Sequence, residues 1–482
     1  MNRKQTSSFA IAGFLFAASI MYFLDYRLNF STQPTQSFKI AIRPTAATLF
    51  MGRTRNITVT IVSEEDFDFA VKLSLHDLPP GISVITEPDL VVLPAKGLVT
   101  YTLTIIGTNA SVNSNTLTIE AMSNGTTQSA HLAVKVVDLL NVTKIAHWSY
   151  DGFGSFTAQE MVQKTLELGA EMAVISLKDS YGNVYFGDFW NSNNETKIDI
   201  SLLVEQFHTQ GIPVIGDVAG LNDPHWVATH RDSGLFIWNQ TTGNYTRSEA
   251  WIEPYYVYAD IKGGQGYTQY IESIINATLQ LGLDGINFDD QLIYPYTEYT
   301  KPNCTFSGSS EFKKWANITQ SYSGHERYFA QRNETDSRFF SKRAEVIDGI
   351  TEKWTNYTKQ VKPDAITTVY LNPKDHIAHG VRLSSYSQFF DALYVQAYSN
   401  YVDYKSLSEI RANVSKPLYA FVYSLIGVSY PPVFFNDENV IREIAQNARQ
   451  LEYEGIGVFT ANKAFEDELE GLFKELFEDY AL

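Results

Sequence analysis

Two adjacent carboxylates, Asp289 and Asp290, stand near the middle of the segment Leu283-Asp-Gly-Ile-Asn-Phe-Asp-Asp-Gln-Leu-Ile-Tyr-Pro295. A helical pattern from Tyr267 to Leu281 stops at Gly282, and a short strand pattern follows, so the pair falls where that strand should end. The carboxyl ends of parallel barrel strands are where chemistry is usually built. Alternation along a strand puts Asn287 and Asp289 on one face and Ile286 and Phe288 on the other. The same parity collects His147 and Asp151, Ser176 and Lys178, Asp217, Tyr370 and Asn372, Gln396 and Tyr398, Tyr423, and Asn462. Asp289 is the expected principal carboxylate. A second carboxyl is needed to deliver or remove a proton, and Asp217 or Asp290 is the expected helper, with Asp151, Asp179 and Asp375 behind them. Lys178, pointing into the same mouth, needs a carboxylate, for which Asp217 and Asp289 are the candidates.

The remaining polar residues suit a ligand rich in hydroxyls. His147, Asp151, Lys178, Asn287, Tyr370, Asn372, Gln396, Tyr398, Tyr423, Asn462 and Trp251 are the expected binding set. Trp148, Trp190 and Trp226 join Trp251 in or near loops, in a chain that is 14% aromatic. Aromatic faces stack on sugar rings while amides and carboxylates bind the hydroxyls.

Those residues need a frame. From Thr143 onward strands and helices alternate: Lys144–Ser149, Ala173–Lys178, Pro213–Val218, Gly285–Asp289, Ile366–Leu371, Ala392–Tyr398, Leu418–Tyr423 and Gly455–Thr460. Thr157-Ala-Gln-Glu160 reads as a capping box before the first helix. Eight such units predict an α/β TIM (β/α)8 barrel over residues 143–482, with long insertions after strands three and four. A doubly wound sheet is the alternative. It wants a Gly-rich phosphate turn, and Tyr150-Asp-Gly-Phe-Gly-Ser155 matches that poorly. No cofactor is implied. Asp284, Asp289 and Asp290 could be read as calcium ligands, but there is no twelve-residue calcium loop, and no metal is expected.

Residues 38–140 read instead as short alternating strands, clearest in Asn56-Ile-Thr-Val-Thr-Ile-Val62, and predict an all-β Ig-like sandwich acting as a spacer. A Ser/Thr/Gln/Pro linker, 31–37, precedes it. Residues 1–30 hold Arg3 and Lys4, then an uncharged run from Phe9 to Leu24 that ends without an Ala-x-Ala-like site. That pattern predicts a signal anchor: a single-pass cell-membrane protein with its bulk outside, or a secreted one if the segment is cleaved. Asn-x-Ser/Thr occurs at Asn29, Asn56, Asn109, Asn124, Asn141, Asn194, Asn239, Asn244, Asn276, Asn303, Asn317, Asn333, Asn356 and Asn413, half of all the asparagines, as expected of a glycosylated outer surface. Cys304 stands alone, which excludes an internal disulfide or a thiolate cluster. The net charge of −17 disfavours nucleic acid or anionic lipid as a partner.

Asp284-Gly-Ile-Asn-Phe-Asp-Asp-Gln-Leu-Ile-Tyr-Pro295, approached through Trp251-Ile-Glu-Pro254, resembles strand four of glycosyl-hydrolase-like family 10. Ala173-Val-Ile-Ser-Leu-Lys-Asp-Ser-Tyr-Gly182 and Asp391-Ala-Leu-Tyr-Val-Gln-Ala-Tyr398 are similar to strands two and six of family 13, which usually has an aspartate where Ser176 stands. The resemblance covers roughly residues 143–476. It implies that Asp289 is the nucleophile or main transition-state carboxylate of a glycoside hydrolase; taken with the anchor and the Asn-x-Ser/Thr sites, the expectation is an extracellular, membrane-anchored enzyme acting on a surface or extracellular polysaccharide. Family 18 chitinases are more distantly similar; Asn287 and Gln291 replace acids of their strand-four motif. With that kinship the implied alternative is a non-catalytic carbohydrate-binding or cell-envelope protein. Leu78-Pro-Pro-Gly-Ile-Ser83 resembles Ig-like modules beside prokaryotic surface glycosidases.

Overall fold

A computed structural model describes residues 38–64, 70–85, 90–94, 97–109, 115–123, 125–138, 142–149, 155–187, 198–239, 244–263, 266–289, 292, 334–373, 380–397, 404–423, 438–466 and 469–480. The expected anchor and linker, residues 1–37, lie outside these. Among the described residues no helix is long and apolar enough to cross a membrane.

The chain forms two compact units. Among the described residues, the first comprises those up to Thr45, Asn56–Ile105 and Asn115–Ala133; the second comprises Ala46–Arg55, residues 106–109 and those from Val134 onward. Nine strands make two sheets: β1 (Phe38–Arg43), β2 (Ala46–Phe50), β3 (Thr54–Ser63), β4 (Ala70–His76), β5 (Ile82–Val84), β6 (Leu90–Val92), β7 (Leu98–Gly107), β8 (Asn115–Ser123) and β9 (Thr126–Val137). Their orders are β1-β3-β7-β5 and β2-β9-β8-β4-β6. Alternation is real here: Ile57, Val59 and Ile61 of β3 are buried while Asn56 and Thr58 are exposed. Strand β2 escaped that pattern because all five of its residues are buried, so it carries no alternation to read.

The second unit holds the predicted closed barrel of eight parallel strands. They are β10 (Lys144–Trp148), β11 (Met172–Lys178), β12 (Val214–Val218), β15 (Gly285–Phe288), β16 (Ile366–Leu371), β17 (Ala392–Gln396), β18 (Leu418–Tyr423) and β19 (Gly455–Phe459). Helix α1 (Ala158–Leu168) starts at the expected capping box, with Thr157 and Glu160 bonding each other's backbone amides. Helices α2 (Ile200–Thr209), α3 (Pro224–Thr229), α4 (Pro254–Gly263), α5 (Tyr267–Gln280), α6 (Glu334–Val361), α7 (Leu383–Phe389), α8 (Tyr404–Asn413), α9 (Glu438–Gln450), α10 (Ala461–Glu466) and α11 (Glu470–Tyr480) follow. The insertion after the third barrel strand contains α3, the hairpin β13 (Gly234–Asn239) and β14 (Asn244–Ile252), and α4.

Alternate residues of each barrel strand pack inward and outward. Ile145, Val174, Ile215, Tyr370, Tyr394 and Phe421 share an inner cluster, whereas Ala146, Trp148, Ile175 and Phe288 join the shell formed with the helices. The strand starts carry a repeated device. Glu171, Asp284, Asp391 and Glu454 immediately precede β11, β15, β17 and β19, the second, fourth, sixth and eighth barrel strands. Each carboxylate accepts the amide N–H at the start of the barrel strand before it: Thr143 to Glu171 at 2.7 Å, Val214 to Asp284 at 2.8 Å, Thr367 to Asp391 at 3.0 Å and Leu418 to Glu454 at 2.7 Å. In return, the acid's own amide donates to a carbonyl there: Lys144, Val214, Thr367 and Leu418 respectively, at 2.8–2.9 Å. Four reciprocal clasps thus satisfy amides that a parallel ladder leaves open at its start.

Candidate functional site

Inside the barrel a polar chain crosses six strands, running from His147 near the end of β10 to Tyr394 midway along β17. His147 Nε2 meets Ser176 Oγ at 3.0 Å and Asp217 Oδ2 at 3.5 Å. Ser176 Oγ donates to Asp217 Oδ2 at 3.5 Å, and Asn287 Nδ2 donates to Asp217 Oδ1 at 2.6 Å. Thr368 Oγ1 donates to Asn287 Oδ1 at 2.8 Å, and Thr368 is hydrogen-bonded in turn to Tyr394. Strand register explains the sequence of links: Ser176 stands opposite Asp217, Asp217 opposite Asn287, and Asn287 opposite Thr368. Burial, with Asp217 adding to it, pushes the Tyr394 phenol well above its ordinary range. Thr368 and Ser149, both part of this inner surface, were outside the expected binding set.

Asp289 sits above the chain and is half-buried. Its amide donates to Val218 O at 3.2 Å, so the ladder between the third and fourth strands extends one residue past the strand. Asp289 is therefore one strand across and two residues beyond Asp217. With ~4.8 Å between strands and ~3.3 Å rise per residue, their Cα atoms lie about 8 Å apart.

Other expected site residues are placed differently. Lys178 does not reach Asp217 or Asp289. A bulge at Leu177 lets Ser176 pair with Asp217 but brings Lys178 opposite Val218, whose side chain packs in the outer shell. Lys178 is wholly buried, ion-paired to Asp223 at 3.2 Å and donating to Ala219 O and Asn222 O. That arrangement ties strand two to the insertion after strand three and removes Lys178 from the expected ligand contacts. Trp148 is likewise buried against the helices, its Nε1 donating to Thr165 Oγ1 at 2.9 Å, and offers no face to a sugar. Tyr370 is 1% exposed and packs among His147, Tyr394, Phe421 and Phe459, so it belongs to the barrel interior beneath the mouth. Asp179 receives the amides of Tyr181 and Asn183 and the Tyr185 hydroxyl, which makes it a loop brace.

Gln396 is buried at the end of its strand, while Asn372 and Trp251 are half-buried. Asn462 is wholly buried and its Oδ1 accepts the Ser149 amide and hydroxyl, fastening the eighth strand's exit to the first. Asp151, Asp290 and Tyr398 lie outside the described residues, as does the Tyr423 side chain. Glu253, which ends the strand-three insertion's hairpin and is 2% exposed, is a buried carboxyl that a survey of strand ends passes over. The Glu-Pro dipeptide opening α4 is the sequence signal that marks it.

Asp284 occupies the far end of its strand from Asp289, which separates two members of the three-aspartate calcium reading. Among the described residues no three His, Cys, Asp or Glu side chains are grouped to hold a metal. Burial alone would raise the Asp284 carboxyl, but His208, Arg55 and Lys362 hold it well below the usual range. Its partners His208 Nε2 and Arg55 stand at 2.7 and 2.6 Å. Asp284 is a structural charge.

The strand topology defines a TIM (β/α)8 barrel. The glycoside hydrolase domain of PgaB (BpsB) from Bordetella bronchiseptica superposes with a TM-score of 0.51 at 10% identity, covering 70% of this chain and 99% of that one. A β-galactosidase from Marinomonas ef1 (TM-score 0.44, 9% identity, 66% of this chain, 54% of that) and the chitinase ChiW from Paenibacillus sp. str. FPU-7 (0.39, 10%, 94% and 43%) are also similar. The chain spans less than two thirds of these last two. No protein-family profile matches the chain, and no curated protein does.

Proposed function

We propose that the protein is a glycoside hydrolase acting on a surface or extracellular polysaccharide, with Asp289 as the central carboxylate. The observation that carries this reading is the placement of Asp289 beside Asp217, about 8 Å away between Cα atoms, over a hydrogen-bonded polar floor. Asp289 stabilises the developing positive charge or attacks the anomeric carbon, and Asp217 is the nearest described strand-end carboxyl to serve as acid. Asn287 holds Asp217 in place through its short 2.6 Å bond. The likeness to the PgaB (BpsB) domain is compatible with this assignment at the level of fold.

A second reading has its own support. Asp217 is 3% exposed and already engaged by Asn287, Ser176 and His147, a saturation that suits a fixed sugar-binding wall better than a carboxyl exchanging protons with substrate. Turnover of a glycan panel by wild type and by Asp289→Asn separates the two. Hydrolysis lost in Asp289→Asn with binding retained supports catalysis, whereas binding by both and turnover by neither leaves the lectin-like reading.

We also propose an outward-facing, membrane-anchored glycoprotein. Asn56, Asn109, Asn276, Asn356 and Asn413 are all exposed, as acceptors must be, and Asn239 and Asn244 face each other at the end of the β13–β14 hairpin. Asn29, Asn124, Asn141, Asn194, Asn303, Asn317 and Asn333 lie outside the described residues. The charge pattern of residues 1–30 supports the anchor and its orientation.

A further inference from the structure

A cavity open to solvent lies among the segments that enter β16, β17 and β18, at the opposite end of the barrel from Asp289. It encloses about 510 Å³, within the ~300–1,000 Å³ range of small-molecule sites. Its charged lining is Arg53, Lys359 and Lys416 against Asp391 and Glu352, so three cations face two carboxylates in a chain whose net charge is −17. Asp391 is already engaged. Its Oδ1 accepts Arg53 Nη2 at 3.1 Å, and its Oδ2 accepts Lys359 and the Thr367 amide. Burial holds the Lys359 ammonium below its ordinary range against the pull of Asp391, and Arg53 lowers it further. Lys416 is half-buried, and among the described residues its ammonium makes no hydrogen bond or ion pair. Arg53 spends one guanidinium nitrogen on Asp391, which leaves Nε and Nη1 for another acceptor.

The lining is therefore short of an acceptor. A carboxylate or phosphoryl group supplies one, because its oxygens take charge-assisted bonds from a guanidinium and an ammonium together. Beside these cations Phe389 lends a half-buried aromatic surface and Gln388 an exposed amide. An aromatic surface and an amide suit the ring and the hydroxyls of a sugar. We propose that this cavity is a second ligand site, which binds a sugar acid or a sugar phosphate through Arg53 and Lys416. The site is separate from the barrel mouth and does not depend on Asp289 being catalytic. Asn356, one of the Asn-x-Ser/Thr positions, lines the same cavity, so a glycan attached there would cover it.

The probes are methyl glucuronide, glucose-6-phosphate, the uncharged methyl glucoside and inorganic phosphate. Each is titrated by calorimetry into wild type and into Asn356→Gln, which keeps a glycan out of the cavity. One of the two charged sugars should bind saturably, about tenfold or more tighter than methyl glucoside. Which of them binds distinguishes a carboxylate ligand from a phosphoryl one. Lys416→Gln should weaken that binding about tenfold and Lys416→Glu about a hundredfold, at unchanged melting temperature. Asp289→Asn should bind as wild type does, so failure here and failure of the glycosidase reading are separable. No saturable binding by wild type or Asn356→Gln overturns the proposal, as does binding that Lys416→Glu leaves intact. Inorganic phosphate bound as tightly as glucose-6-phosphate overturns the sugar assignment. Should a Lys416 variant fail to fold, added sodium chloride takes its place: binding to wild type that salt does not weaken overturns the charge contact.

Discussion

The two ends of the barrel solve different problems with similar residues. At the strand starts, four carboxylates are each clasped to a neighbouring strand's amide and to basic side chains: Arg55 and His208 at Asp284, Arg53 and Lys359 at Asp391, Arg411 at Glu454, and Lys144 beside Glu171. Further along the strands, the chain from His147 to Tyr394 is mostly neutral, Asp217 being its one carboxylate, and among the described residues His147 Nδ1 in it has no partner. A charge that is fully partnered holds structure together. A polar surface that is incompletely partnered has something left to offer a ligand. In barrels the first end is usually where stability resides and the second where function does.

That contrast can be broken by exchanging insults between the ends. Asp289→Asn should lower hydrolysis of a responsive glycan by about ten-thousand-fold while leaving the urea midpoint where it is. A comparable fall in stability would mean that Asp289 is another structural clasp. Asp284→Ala should do the reverse, destabilising by roughly 3–5 kcal/mol in urea unfolding because it strands Arg55 and His208 in the interior, with kcat of the remaining folded protein unchanged. Glu454→Gln retains an acceptor for the Leu418 amide and loses only the charge shared with Arg411 at a partly exposed site, so about 1 kcal/mol is expected. A much larger loss would show that the clasps act as a cooperative ring.

The smallest effect is a pH dependence. His208 is held below its ordinary value chiefly by burial, so the unfolded chain takes up that proton first, and stability should begin to fall as pH drops below about 6.5. Asp284 is depressed, so its contribution is complete above about pH 4 and is lost as pH falls further through its lowered folded value. Urea midpoints measured against pH should therefore slope downward on acidification, and the segment below pH 4 should flatten in Asp284→Ala. An unchanged slope there would remove Asp284 from the stabilising set.

Much of this frame could be read from residues alone. The eight barrel strands lie within a residue or two of the expected ones, because each is a short apolar run between turn signals and amphipathic helices. The capping box at Thr157 and the inward parity of Asn287 are local properties, and both were legible. Lys178 was not, since one bulged residue shifts parity and no composition rule announces it. Trp148 misled for a related reason: an aromatic near a loop can face either shell, and strand parity turned this one toward α1. The clasp acids look like ordinary turn residues in the chain, and only strand neighbours drawn from tens of residues away reveal what they hold.

The sequence by itself determined the elements, the faces of the strands and the candidate carboxylate Asp289, because periodicity and capping act over a few residues. Only the tertiary structure decided which polar groups meet. It paired Lys178 with Asp223, set Asp217 within a bonded chain, and turned Trp148 toward Thr165. Pairing depends on register between distant strands, and register is fixed by closing the barrel rather than by any local stretch of chain.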